Sequence, residues 1–121
     1  MKKVILVADD SATIRKFVSF SLNIRGYEII PVSDGMEALE KLPQNNIDLI
    51  ITDLNMPNVD GFELIKKIRS NEEYADIPII ILSSLSSQDE VSRGLSVGAN
   101  SYLTKPFDPN RILYEVAKYL N

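Results

Sequence analysis

Five short runs rich in apolar residues punctuate the chain: Val4–Ala8, Tyr27–Val32, Ile47–Thr52, Ile79–Ser83 and Ser101–Thr104. Nothing else in the sequence limits the fold as strongly. The intervening stretches carry apolar residues at helical spacing. Ile14, Phe17, Val18 and Leu22 form one stripe, Leu64, Ile65 and Ile68 a second, and Ile112, Leu113, Val116 and Leu120 a third. Strand alternating with helix along the whole length predicts an α/β fold, a doubly wound (βα)5 parallel sheet with helices on both faces.

Strand composition predicts the order of the sheet. The segments VILVA, LII and IIIL are apolar throughout, as strands buried on both faces must be. The second run contains Pro31, which cannot donate to a ladder and belongs at an edge. SYLT is short and mixed, suiting the other edge, so the expected order is 2-1-3-4-5.

Local punctuation agrees. Asp34 with Glu37, Asp60 with Glu63, and Ser87 with Glu90 have capping-box spacing, and Asp108-Pro109 puts proline at a first helical position. Gly26, Gly35, Gly61 and Gly98 fall at segment ends, while Pro43 is expected to stop the second helix. No repeat, low-complexity tract or linker interrupts the pattern, so residues 1–121 read as a single domain.

Composition removes whole classes of chemistry. The chain has no cysteine and no histidine, which excludes disulfides, thiolate metal sites, His-based triads and most zinc sites. A net charge of -4 argues against nucleic acid or an acidic membrane as partner. The start MKKVILVADD imitates a signal peptide, but its apolar run is short and two aspartates cut it off. With no run long enough to span a membrane, the expected location is cytoplasmic.

Polar groups gather where four of the five strands stop. Strand 1 ends in Asp9-Asp10, strand 3 in Asp53, strand 4 in Ser83 and strand 5 in Lys105. In a parallel sheet these ends share one edge, where ligand sites of open α/β sheets lie. Any one of these residues alone is better explained as a turn former or helix cap; four together are not. Three carboxylates in one pocket repel by about 4 kcal/mol per pair at 4 Å and an effective dielectric near 20. A raised pKa, the lysine or a cation must compensate. Oxygen donors without imidazole or thiolate suit a hard ion such as Mg²⁺, and Asp53 is the candidate nucleophile, since carboxylates form aspartyl phosphates.

The segments VADDS, ITDLNMPNVDG, ILSS and YLTKPF, in this order and spacing, resemble the receiver domain of two-component response regulators, with DLNMPNVDG closest to CheY-like chemotaxis members. The resemblance implies Asp53 as phosphoacceptor, Asp10 as a direct Mg²⁺ ligand, Asp9 as a ligand through water, and the Asn55 backbone carbonyl as a further ligand. It also implies Lys105 as the phosphoryl-binding lysine, Ser83 and Tyr102 as switch residues, and a cis Lys105–Pro106 bond. Tyr102 would turn inward after phosphorylation. Ala8 and Ser83 depart from commoner family choices, and Leu85 is apolar at a position that varies in the family and influences dephosphorylation. Gly94, within the fourth helical segment, reads either as close packing or as a helix kept marginal so that it can shift.

The implied protein is a switch rather than an enzyme acting on a separate substrate. A sensor histidine kinase or histidine phosphotransfer protein would donate the phosphoryl group, and a target would bind the face built from helix 4, strand 5 and helix 5. A stand-alone monomer is expected, because the chain ends at Asn121 without an output domain, and chemotaxis is the leading pathway. The alternatives are a phosphorelay shuttle and an unphosphorylated pseudo-receiver scaffold. A flavodoxin-like carrier would need a phosphate-binding loop where Asp9 and Asp10 stand, and a dehalogenase-type phosphohydrolase would need an acid where Asn55 stands.

Overall fold

Every ladder in the sheet is parallel. In the computed structural model, which describes residues 2–120, β1 (Val4–Ala8) pairs with β2 (Glu28–Val32) from Val4↔Glu28 to Ala8↔Val32. It pairs on its other side with β3 (Leu49–Thr52), from Ile5↔Leu49 to Ala8↔Thr52. β3 continues to β4 (Ile79–Ser83), and β4 to β5 (Ser101–Thr104). The order is β2-β1-β3-β4-β5, as expected. Met1 and Asn121, the latter being the end invoked above, lie outside the described residues.

Side chains of successive strand residues point to opposite faces, and both faces here are apolar. Ile5, Val7, Leu49, Ile51, Ile80 and Leu82 pack with Val18 and Leu22 of α1 (Ala12–Asn23) and Ile112 and Val116 of α5 (Pro109–Leu120). Leu6, Ala8, Ile50, Ile79 and Ile81 pack with Ala38 of α2 (Gly35–Lys41) and Leu64, Ile65 and Ile68 of α3 (Gly61–Ser70). α4 (Gln88–Ser96) lies against β5. Pro31 sits on the outer strand β2, where its missing N–H costs no ladder bond to a further strand.

The helix starts follow the predicted chemistry with two adjustments. Ser87 and Glu90 form a complete reciprocal box, and Asp60 accepts from the Glu63 amide. Asp34 accepts from the Glu37 amide, but the Glu37 carboxylate reaches back to the amide and hydroxyl of Ser33 instead of its own cap. Ser11 caps α1 by accepting from Ile14, a start the sequence left unmarked because no acid follows at the third position.

Boundaries shift where side chains take over from the ladder. Asp48, expected inside the third strand, instead accepts from the Val4 amide through its carboxylate (2.8 Å), so β3 begins at Leu49. Tyr27 likewise precedes β2, which begins at Glu28. α2 ends at Lys41, and Pro43 lies in the 3₁₀ turn Leu42–Gln44 that follows it. Gly26 (φ 91°) and Gly98 (φ 127°) adopt the left-handed backbone that ends α1 and α4.

One guanidinium fastens the loops at the far end of the sheet. Arg69 donates from Nε to Gly98 O (2.9 Å), from Nη1 to Ala75 O (2.9 Å) and Ile77 O (2.7 Å), and from Nη2 to Asn100 Oδ1 (2.9 Å). Asn100 Oδ1 also accepts from the Ile79 amide, so α3, the approach to β4 and the α4–β5 turn meet at one cation.

Hydrogen bonds to a charged partner contribute about 1.5–3 kcal/mol each, and removing one partner strands the other. Arg69→Ala is therefore expected to lower the unfolding free energy in urea by about 2–4 kcal/mol. Arg69→Lys should recover less than half, because an ammonium cannot span the same acceptors. An Arg69→Ala midpoint equal to that of the parent would show that these bonds contribute nothing net.

Candidate functional site

The carboxyl ends of β1, β3 and β5 meet through Lys105. Its Nζ lies 2.8 Å from Asp9 Oδ2 and 3.2 Å from Asp53 Oδ2. The backbone places each group: Asp9 and Asp53 directly follow β1 and β3, and the Asp53 amide donates to Ala8 O (2.9 Å). Lys105 follows β5, and its amide donates to Ser83 O at the end of β4 (2.8 Å). The Lys105–Pro106 peptide is cis.

The two adjacent aspartates differ in environment. Asp9 is only 2 % exposed and fully engaged. Its Oδ1 accepts from the Ser11 amide, its Oδ2 from Lys105, and its main-chain oxygen from Arg15 Nη1 (2.6 Å). Asp10 is exposed and forms no ion pair among the described residues. Asp53 is buried, with Oδ1 held by the Leu54 amide (2.7 Å), which leaves Oδ2 toward the lysine. Asp9, Asp10 and Asp53 each offer an oxygen, all within 4.8 Å of one another.

The segment after Asp53 has to return sharply into α3. Gly61 makes this possible: its amide donates to Leu54 O (2.9 Å), and a Cβ there would overlap the Asp53 carbonyl oxygen. Between these points Leu54, Met56 and Val59 are buried, whereas Asn55 is exposed.

Burial raises the Asp53 pKa, and the Asp9 charge adds to the rise; the Leu54 amide and Lys105 oppose it. Burial also disfavours the Lys105 ammonium, yet the hydrogen bond to Asp9 and the fields of Asp53 and Asp9 hold its pKa above the ordinary value. One ammonium facing three carboxylates leaves the cluster short of positive charge. An all-oxygen donor set, with the Asp10 carboxylate exposed, fits a hard divalent cation. A buried carboxylate oxygen beside an ammonium is equipped to attack an electrophilic anion whose charge its neighbours neutralise.

Ser83 and Tyr102 are joined through the backbone of one residue, Leu85. Ser83, completely buried, accepts at Oγ from the Leu85 amide (3.2 Å), and the Tyr102 hydroxyl donates to the Leu85 carbonyl. The half-buried Tyr102 side chain is thus held by the loop that follows β4. Gly94 provides the space. A Cβ there would lie 2.6 Å from Ile81 Cδ1 and 3.1 Å from two Tyr102 ring carbons, so close packing accounts for this glycine. The sequence marked Leu85 only for its side chain; its backbone role left no signal.

Comparison with known proteins gives one family. A family model for the response regulator receiver domain matches residues 5–117. The chain is similar to the chemotaxis protein CheY1 of Helicobacter pylori, with 41% identity over 107 residues, 87% of this chain and 86% of the relative. It is similar to the CheY homolog of Campylobacter jejuni, with 38% identity over 107 residues, 87% of this chain and 82% of that one. The solved structure of the chemotaxis response regulator CheY4 of Vibrio cholerae superposes with a TM-score of 0.92 at 38% identity, covering 99% of this chain and 100% of that chain.

A carboxylate with a raised pKa binds its proton more tightly in the folded state. Stability is therefore lost as pH rises from the ordinary value of 3.8 through the raised folded value. Asp53→Asn, which removes the charge and keeps the shape, should raise the unfolding free energy at pH 7 by about 1–2 kcal/mol, chiefly the cost of a buried charge with a smaller part from Asp9. The gain should shrink as pH falls through that window, because the parent carboxyl is then neutral too. Urea melts at pH 7 and pH 4 measure both. A variant less stable than the parent at pH 7 would mean that Lys105 and the Leu54 amide outweigh the cost of burying the charge.

Proposed function

The chain belongs to the family of response regulator receiver domains, and on that premise we propose that it is a phosphorylation switch with Asp53 as acceptor. The observation that carries this reading is the Lys105 ammonium bridging Asp9 and Asp53 at the sheet edge, with the Asp10 carboxylate exposed beside them. The chain has no histidine, so a phosphohistidine donor has to come from another protein, a sensor kinase or a histidine phosphotransfer protein. The CheY names of the relatives favour chemotaxis as the pathway.

Asp53 Oδ2 attacks phosphorus while the P–N bond to the donor imidazole breaks, and the imidazole leaves with a proton from water. The Leu54 amide holds Oδ1, which fixes the carboxylate and presents the other oxygen. Lys105 exchanges the Asp53 oxygen for the phosphoryl group. Asp10, Asp53 and the Asn55 carbonyl would hold Mg²⁺ directly and Asp9 through water; when bound, the ion neutralises charge on the transferring group. Asp9 keeps its second role as anchor for Lys105.

The acyl phosphate carries about -2 charge where the carboxylate carried -1, and it brings new acceptor oxygens. The Ser83 hydroxyl donates to one of them. Because Ser83 also holds the Leu85 amide, its movement displaces the residue whose carbonyl secures Tyr102. The signal thereby reaches the face of α4, β5 and α5.

Acetyl phosphate with Mg²⁺ should add one phosphoryl group by intact mass; EDTA and Asp53→Asn should each abolish it. Ser83→Ala should still be labelled, since nucleophile and lysine remain. Its phosphorylation-dependent change in amide exchange over α4 should be much smaller, because a charge-assisted hydrogen bond of about 1.5–3 kcal/mol is missing. Labelling that survives Asp53→Asn would move the acceptor elsewhere. A full exchange response in Ser83→Ala would remove Ser83 from the coupling.

A further inference from the structure

The loop after Asp53 is pinned at both ends, and the second pin comes from a residue outside the strand-end cluster. We infer that Asp34 is a positioning residue for the cation site, holding the Asn55 carbonyl in place by tying Asn58 to the start of α2. The inference rests on the reading above that this carbonyl joins the cation's ligands.

Asp34 uses its two oxygens differently. Oδ1 accepts from the Glu37 amide (2.8 Å), the ordinary work of a helix cap. Oδ2 accepts from Asn58 Nδ2 (2.7 Å) in the middle of the loop. Both bonds pull the Asp34 pKa down, so the acceptor is ionised at neutral pH and the bonds are charge-assisted. Asn58 has φ 67°, a left-handed conformation that non-glycine residues adopt at a cost of about 1 kcal/mol, so its side-chain bond secures a strained backbone.

The main chain reinforces the tie. The Gly35 amide donates to Val59 O (3.1 Å), and a Cβ at Gly35 would overlap that same oxygen. Asn58 and Val59 are therefore docked on the first turn of α2, by side chain and backbone respectively. At the other end the Gly61 amide holds Leu54 O (2.9 Å). Asn55 lies between the two pins, flanked by the buried Leu54 and Met56, and has little freedom to rotate its carbonyl. A cation gains most from ligands held ready by such outer contacts.

The test compares four variants with the parent by Mg²⁺ titration calorimetry and thermal melting. Amide exchange of residues 54–60 is followed in EDTA, where no ion contributes. Asp34→Ala and Asn58→Gly should each weaken Mg²⁺ binding about 10-fold, the usual scale for losing a contact that orients a ligand. Each should also speed exchange across residues 54–60. Asp34→Ala with Asn58→Gly together should be no worse than either alone, since both remove one bond. Ser87→Ala, which removes a comparable cap at α4, should melt earlier yet bind Mg²⁺ as the parent does. If Asp34→Ala does not fold, Asn58→Gly leaves the α2 cap intact and carries the same expectation. Parent-like Mg²⁺ affinity in Asn58→Gly overturns the inference while leaving the site intact. A parent that binds no Mg²⁺ overturns both the inference and the cation site of the proposed function.

Discussion

The Lys105 ammonium between Asp9 and Asp53 is the contact on which the reactive edge depends. Asp9 is almost fully buried, and an unpaired charge there would cost about 3–5 kcal/mol. The lysine reaches it from β5, although β3 and β4 lie between β5 and β1 in the sheet. Such a reach needs a long flexible stem and small groups in its path, and β4 ends in the small, buried Ser83, whose carbonyl also holds the Lys105 amide. The same ammonium therefore lowers the cost of clustering carboxylates and joins the last strand to the first and third.

Asp9 and Asp10 divide the work that one acidic pair must do. Both oxygens and the main-chain carbonyl of Asp9 are occupied within the protein, so it acts chiefly as scaffold. Asp10 is exposed, so its desolvation is deferred until a cation arrives. A site built this way tolerates its charge at rest and retains an unmet demand for a positive ligand.

The sheet and the strand-end cluster were legible in the sequence because both follow from residue type at fixed spacing. Pro31 marked an edge, the unbroken apolar runs marked the centre, and parallel pairing alone brought Asp9, Asp53 and Lys105 to one edge. What stayed hidden depends on partners that leave no pattern. Arg69 is bonded mostly to backbone carbonyls, which every residue has. Asp48 left its strand because its own carboxylate competed for the Val4 amide. Glu37 had the spacing for a reciprocal box but found Ser33 closer. Gly94 was ambiguous on composition, and only the Tyr102 ring and Ile81 methyl beside it resolve the ambiguity.

The all-parallel order also governs how the chain can fold. No ladder joins neighbouring stretches: even its shortest link, Ile80 with Ser101, spans all of α4. β1 needs β3, which lies beyond β2, α2 and their turns, before its second side is covered. Each pairing must close a long loop before it returns any hydrogen bond, and such topologies fold more slowly than helical bundles of similar size. During synthesis the apolar strand β1 must therefore wait unpaired, with its helices the only elements able to form locally.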